Sequence, residues 1–336
     1  MAEPPSEPLA LAEALAGGDR RALARAITLV ESARHEDGPA AEQLLAAALA
    51  RGGSSLRLGV SGPPGAGKST LIDALGLHAL ERGERVAVLA IDPSSPVGGG
   101  SLLGDKTRMA RLAVHPQSFV RPSPSRGVHG GLGRRTREAL VLCEAAGYSV
   151  VIVETLGTGQ GEHAVAAIVD CLLLVLLAGA GDEIQGMKRG VLELADVVAV
   201  NKADGANRDA AERAATDLTS ALGILARASR EREPEVRMTS ALEGLGVAEL
   251  WSAIERRVAG ARASGRFHAR RQAGLVQAFD EELEAGFRAR LAAPEVAGER
   301  VRLEAAIVAG ALSPRAAARE LLARLGSSGS ETVAAH

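Results

Sequence analysis

Gly62-Pro63-Pro64-Gly65-Ala66-Gly67-Lys68-Ser69, followed by Thr70, is the stretch that decides the fold. Its spacing, G-x-x-x-x-G-K-[ST], is that of a phosphate-binding loop. Leu56 to Val60, just upstream, is a short and partly apolar run suited to a buried strand. Thr70 to Leu80, just downstream, has helical spacing, with Leu71, Leu75, Leu77 and Leu80 on the apolar side. An ordinary glycine-rich turn would need neither the flanking strand and helix nor the lysine and serine. In a phosphate loop the glycines let backbone N–H groups turn inward, where the positive end of the next helix points. Lys68 reaches the β and γ phosphates, and the Ser69 hydroxyl ligates magnesium.

Working outward, residues 56 to about 260 alternate strand-like and helix-like segments. The strand candidates are 56–61, 85–91, 117–121, 148–153, 171–177, 196–200 and 235–239. Several are nearly continuous apolar runs, such as Val86 to Ile91 and Leu172 to Leu177. Such runs suit strands covered on both faces of a parallel sheet. The expected fold is α/β, a doubly wound and mostly parallel sheet with helical N- and C-terminal extensions. Three segments are expected: a helical extension over 1–54, a nucleotide domain over 55–260 and a helical extension over 261–336. Residues 1–8 read as loose. Asp19 is an N-cap candidate before an apolar face of Ala22, Leu23, Ala26, Ile27 and Val30. Past Ala261, Leu275, Phe279, Leu283, Phe287 and Leu291 recur every fourth residue. Ser313-Pro314 is a helix start.

Composition narrows the function. The 336 residues carry 46% hydrophobic but only 2% aromatic side chains, so the core is aliphatic. A net charge of −2, with the signs interspersed, argues against nucleic acid as the main partner. The longest apolar run, Cys171 to Ala180, is too short to span a bilayer. The two cysteines, Cys143 and Cys171, lie in apolar surroundings without metal-ligand spacing and read as buried small hydrophobes of a reducing cytosol. A cytoplasmic protein with no membrane partner is expected.

Ligands of doubly wound sheets sit beyond the carboxyl ends of the strands, and further motifs fall there. Asn201-Lys202-Ala203-Asp204 follows strand 196–200 as N-K-x-D. The Asp204 carboxylate can accept from guanine N1–H and the exocyclic amine, a donor pair that adenine lacks. Asn201 would brace the loop and the Lys202 stem would cover the base. Thr239-Ser240-Ala241, with Leu242 next to it, would supply backbone contacts to guanine O6. The bland reading of these residues is a solvated turn.

Asp92, Asp105 and Glu154 bring carboxylates to the same end, where a hard cation would be needed between them and a triphosphate. Asp92 and Asp105 are expected as direct or water-mediated magnesium ligands. Glu154 is expected in the magnesium shell or as a water-positioning group. A helix cap for 105–114 is the equal alternative for Asp105. Lys68, Asp92, Asp105 and Glu154 are the catalytic candidates. Arg108, Arg126 and Lys188 could each neutralise transition-state charge.

Taken together, Gly62–Ser69, Asp92–Ser95, Gly99–Met109, Arg121–Pro124, Val153–Gln160, Gly179–Gly186 and Asn201–Asp204 closely resemble the MeaB/ArgK/MMAA-type GTPases over residues 40–260. The resemblance implies the SIMIBI class of P-loop GTPase. It also implies slow hydrolysis of GTP to GDP with Mg2+, and a homodimer built through the C-terminal helices. The implied partner is the adenosylcobalamin enzyme methylmalonyl-CoA mutase, whose cofactor loading such a chaperone gates and which it protects. Residues 154–162 would form switch II and 178–188 a further switch. Two alternatives remain. One is a P-loop kinase acting on a small molecule or a protein, for which no phosphoacceptor feature is evident. The other is a metal- or cofactor-insertion GTPase, for which the scattered histidines offer no ligand cluster.

Overall fold

A computed structural model of the chain describes residues 6–32, 34–92, 109–124, 131–155, 162–178, 189–229 and 233–327. Seven strands form one sheet: β1 Leu56–Ser61, β2 Val86–Asp92, β3 Ser118–Pro124, β4 Val150–Thr155, β5 Cys171–Leu177, β6 Val197–Asn201 and β7 Glu235–Met238. Their order is β3-β2-β4-β1-β5-β6-β7, and every pairing is parallel. β1 is central, so the phosphate loop leaves the sheet between β4 and β5.

The apolar runs become strands because both faces are covered. Leu58, Val60, Val86 and Val88 face the helix Lys68–Glu81 (α4) and the helix Val247–Ala263. Ala87, Leu89, Val151 and Val153 face the opposite layer. There the helices Glu7–Ala16 (α1), Arg20–Val30 (α2) and Gly38–Arg51 (α3) pack with the helix Gly131–Ala145 (α6). α1 begins inside the segment expected to be loose, with Pro8 in its first turn, where proline costs no hydrogen bond. Asp19 caps α2 through its side chain, which accepts from the N–H of Arg21 and Ala22. Ala22, Leu23, Ala26, Ile27 and Val30 are the buried face.

Strand ends differ from the sequence expectation at two places that matter. β4 runs on to Thr155 because Glu154 and Thr155 continue the ladder opposite Ala90 and Ile91. β3 extends through Pro122 and Pro124, which an edge strand tolerates.

The remaining helices are α5 Ala110–Val114, α7 Glu162–Ala166, α8 Arg189–Leu194, α9 Arg208–Ser229, α10 Val247–Ala263, α11 Arg266–Leu291, α12 Pro294–Val308 and α13 Pro314–Ser327. The chain groups into two compact units, Met1–Leu275 and Val276–His336. In the second, the Ser313 hydroxyl accepts from the Ala316 N–H at 3.2 Å and caps α13. Leu303, Ala317 and Leu325 are its buried hydrophobic residues among those described, and Arg302 joins Glu299 and Glu320.

The root of α11, in the first unit, docks at the amino ends of the strands. Arg271 is bidentate to Asp170, with contacts of 2.7 and 2.8 Å. Arg57 is bidentate to Glu144 at the same distances. Arg270 and Arg257 share Asp196. A Cβ on Gly274 would lie 2.7 Å from the Ala167 carbonyl oxygen, so glycine permits this approach. Arg57, Glu144, Arg270, Arg271 and Gly274 line a cavity of about 230 Å³. Among the described residues, no helix is long and apolar enough to cross a membrane.

Candidate nucleotide site

β1 delivers Ser61, fully buried, into the phosphate loop. Gly62 has φ 144°, and a Cβ there would stand 2.1 Å from the Val175 carbonyl oxygen. Only glycine lets the loop start this close to β5. Gly67 has φ 84°, and a Cβ would meet the Asn201 amide nitrogen at 2.6 Å. Pro64 and Gly65 are exposed, Ala66 is buried, and Pro63, Ser69 and Thr70 are intermediate. Lys68 is buried, and its Nζ donates to the Gly62 carbonyl at 2.8 Å and the Pro63 carbonyl at 3.0 Å. The ammonium is therefore already folded over the loop, at the N-terminus of α4.

The residues expected to read the base meet this loop. Asn201 Nδ2 donates to the Ala66 carbonyl at 2.8 Å. Its Oδ1 accepts from Thr239 Oγ1 at 3.2 Å and from the Ala241 N–H at 3.3 Å. One buried amide thus joins the phosphate loop, the end of β6 and the loop after β7. Lys202 is exposed at φ 58°, the one non-glycine residue with positive φ among those described. Its stem passes Gly67, whose Cβ would lie 3.8 Å from Lys202 Cε. The Ser240 hydroxyl donates a short hydrogen bond to Asp204 Oδ2, fixing that carboxylate. Leu242 stands 83% exposed, so it is a rim residue rather than part of the packed loop.

Among the metal candidates, Ser69 and Glu154 come together: Ser69 Oγ donates to Glu154 Oε1 at 2.7 Å, and Glu154 is buried. Asp92 closes β2, but its side chain lies outside the described residues. So do Asp105, Arg108, Arg126 and Lys188, with the loops 156–161 and 179–188. Sequence reading passed over the polar residues next to this pair. Thr155 donates to Ser61 Oγ at 3.0 Å, and Ser61 Oγ stands 3.5 Å from Glu162 Oε1. Their positions beside two singled-out motifs were the available signal. Among the described residues, no cluster of His, Cys, Asp and Glu could hold a metal by itself.

The profile of the family described as methylmalonyl Co-A mutase-associated GTPase MeaB matches residues 23–293. The chain belongs to the MeaB family. It is 50% identical over 313 residues to a probable GTPase of Mycobacterium tuberculosis, covering 93% of each chain. It is 46% identical to the GTPase ArgK of Escherichia coli, over 90% of this chain and 92% of that one. Against the mitochondrial methylmalonic aciduria type A homolog of Mus musculus the identity is 42%, over 92% of this chain and 77% of the relative. A crystal structure of a LAO/AO transport system kinase superposes with a TM-score of 0.74 at 37% identity, covering 97% of this chain and all of the other. This member of the MeaB family is a GTPase, and it binds guanine nucleotide on a P-loop fold.

Proposed function

We propose that the chain is a GTP-driven chaperone of methylmalonyl-CoA mutase, gating adenosylcobalamin loading and protecting the enzyme from inactivation. The family's own description associates it with that mutase. The observation that carries the reading is the Asn201 amide. It ties the phosphate loop to the guanine-reading loops, so filling one is felt by the other. A nucleotide-reporting protein needs such a link, because a ligand shifts only an equilibrium to which it is coupled.

In this reading Gly62 to Thr70 cradle the phosphates and Lys68 moves from the loop carbonyls onto β and γ oxygens. Asp204 reads the base, with Asn201, Lys202, Ser240, Ala241 and Leu242 around it. The donor set fits magnesium: Ser69 and Glu154 offer hard oxygens already in mutual contact at the loop. Asp92 and Asp105 would complete the shell. Bound magnesium supplies charge neutralisation for the phosphates. Glu154, held by Ser69, is then placed to orient a water.

The reading includes a homodimer, and α11 supports it: Leu275, Phe279, Leu283 and Phe287 are between 48% and 62% exposed along one stripe. A second copy would cover that stripe. Two free, buried cysteines suit the cytoplasm.

The test is GTP turnover by the full chain with and without purified methylmalonyl-CoA mutase and adenosylcobalamin. The mutase should accelerate turnover; no acceleration would refute the chaperone role. The kinase reading, which the name of the LAO/AO neighbour also carries, is separated by the same assay. Labelled γ-phosphate should appear as inorganic phosphate, not on a protein or small-molecule acceptor.

A further inference from the structure

Next to the phosphate loop lies a chain of buried polar groups; the family resemblance places Thr155 and Glu162 within switch II, 154–162, but gives neither of them, nor Ser61, an individual role. Thr155 Oγ1 donates to Ser61 Oγ at 3.0 Å. Ser61 Oγ in turn donates toward Glu162 Oε1 at 3.5 Å. Ser61 is fully buried, Glu162 3% exposed and Thr155 4% exposed. In this geometry Ser61 gives its one hydroxyl proton toward Glu162 and accepts from Thr155. Its three members come from the ends of β1 and β4 and from the first residue of α7.

Each member neighbours a working part of the site. Ser61 precedes Gly62, which is pressed against β5 at the Val175 carbonyl. Thr155 follows Glu154, which holds Ser69. Glu162 starts the first helix after the loop 156–161. Both flanks of that loop are therefore tied to one hydroxyl, and that hydroxyl belongs to the residue that launches the phosphate loop. Buried polar groups that are paired in this way fix geometry, because any displaced member loses a partner where no water replaces it.

We infer that Ser61 and Glu162 are positioning residues for GTP hydrolysis. They act through Thr155 on Glu154 and through Gly62 on the phosphate backbone, without touching nucleotide. The 3.5 Å Ser61–Glu162 contact is long beside the 2.7 Å Ser69–Glu154 bond. Such contacts tighten when the reacting complex forms. The effect therefore falls on the chemical step more than on nucleotide binding.

The inference rests on the phosphate site at Gly62–Ser69, so the experiment measures binding and turnover on the same full-length preparations. The variants are Ser61→Ala, Glu162→Ala, Glu162→Gln and the double Ser61→Ala/Glu162→Ala. Ser61→Ala and Glu162→Ala should each lower kcat about tenfold while GDP affinity stays within about twofold. Glu162→Gln, which keeps an acceptor oxygen, should retain most of kcat. The double variant should be no slower than the slower single, because one chain is broken once. Should Glu162→Ala not fold, Ser61→Ala, which removes a single buried oxygen, carries the test. Unchanged kcat in Ser61→Ala would overturn the inference. So would a parallel loss of kcat and GDP affinity with Glu162→Gln as impaired as Glu162→Ala, the signature of a merely structural role. An unaltered chain that binds neither GTP nor GDP would instead defeat the phosphate site itself, and the inference with it.

Discussion

The two ends of the sheet are held by different physics. At the amino ends, Arg57, Arg270 and Arg271 are locked to Glu144, Asp170 and Asp196 in paired, largely buried contacts. At the carboxyl ends, the phosphate loop is held by glycine backbone, by one amide from Asn201 and by hydroxyl–carboxylate pairs. Charges at the first end already have protein partners. At the second end Lys68 donates to the Gly62 and Pro63 carbonyls, contacts that a phosphate can replace. The contrast separates a region built to stay fixed from one built to exchange partners.

Substitutions can break or sharpen this contrast. The largest effect is expected at Lys68. Lys68→Ala should cost about a hundredfold or more in GTP turnover while leaving the melting temperature nearly unchanged. Turnover assays alongside calorimetric melting check both halves. Asp204→Ala comes next, with GDP affinity down about a hundredfold and no gain in folding stability. Titration calorimetry reads it. At the other end the signs reverse: Arg271→Ala should remove about 3 kcal/mol of stability, because Asp170 is left buried without its guanidinium partner and with only the Arg57 N–H as a donor, yet leave nucleotide affinity nearly intact. Denaturant unfolding of the full chain would show it, and a loss of affinity larger than the loss of stability would erase the contrast. For the same reason, point changes such as Phe279→Glu probe the α11 stripe better than truncation at 260, which would also strip out Arg270 and Arg271.

A smaller effect concerns acid. Burial pushes the Glu144 carboxyl up, but hydrogen bonds and charge from Arg57, with Ser55 and Arg271, more than offset this and hold it below the ordinary glutamate value. A depressed folded value stabilises the protein above the unfolded value, and the gain is lost as pH falls through the folded one. Glu144→Gln should therefore flatten the acid limb of a stability-versus-pH curve, leaving turnover near neutral pH little changed. The smallest signal is at the thiols. Burial raises Cys143 and Cys171, so both stay protonated at neutral pH. Thiol reagents should label them only as fast as the chain unfolds.

What could be read from sequence follows the same division. The phosphate loop, the N-K-x-D element and the strand cores are local patterns, and the run Cys171 to Leu177 becomes β5 residue for residue. The caps at Asp19 and Ser313 are equally local. The arginine–carboxylate pairs at the amino ends were not legible, because Arg271 and Asp170 stand 101 residues apart and no periodicity links them. The buried role of Glu162 was hidden for a related reason. Its partner Ser61 stands 101 residues away in the chain, and no local pattern links the two. The strand candidate 148–153 stops short of Thr155, the last residue of β4, since polar residues at a ladder's end carry no hydrophobic signal.

The central claim is that backbone, Lys68 and Asp204 together grip a guanine nucleotide. Titration calorimetry of GDP against ADP, on the full chain with millimolar magnesium, tests it most directly. Tight GDP binding with ADP at least about a hundredfold weaker is the predicted result. Equal affinities, or heat from neither nucleotide, would contradict it.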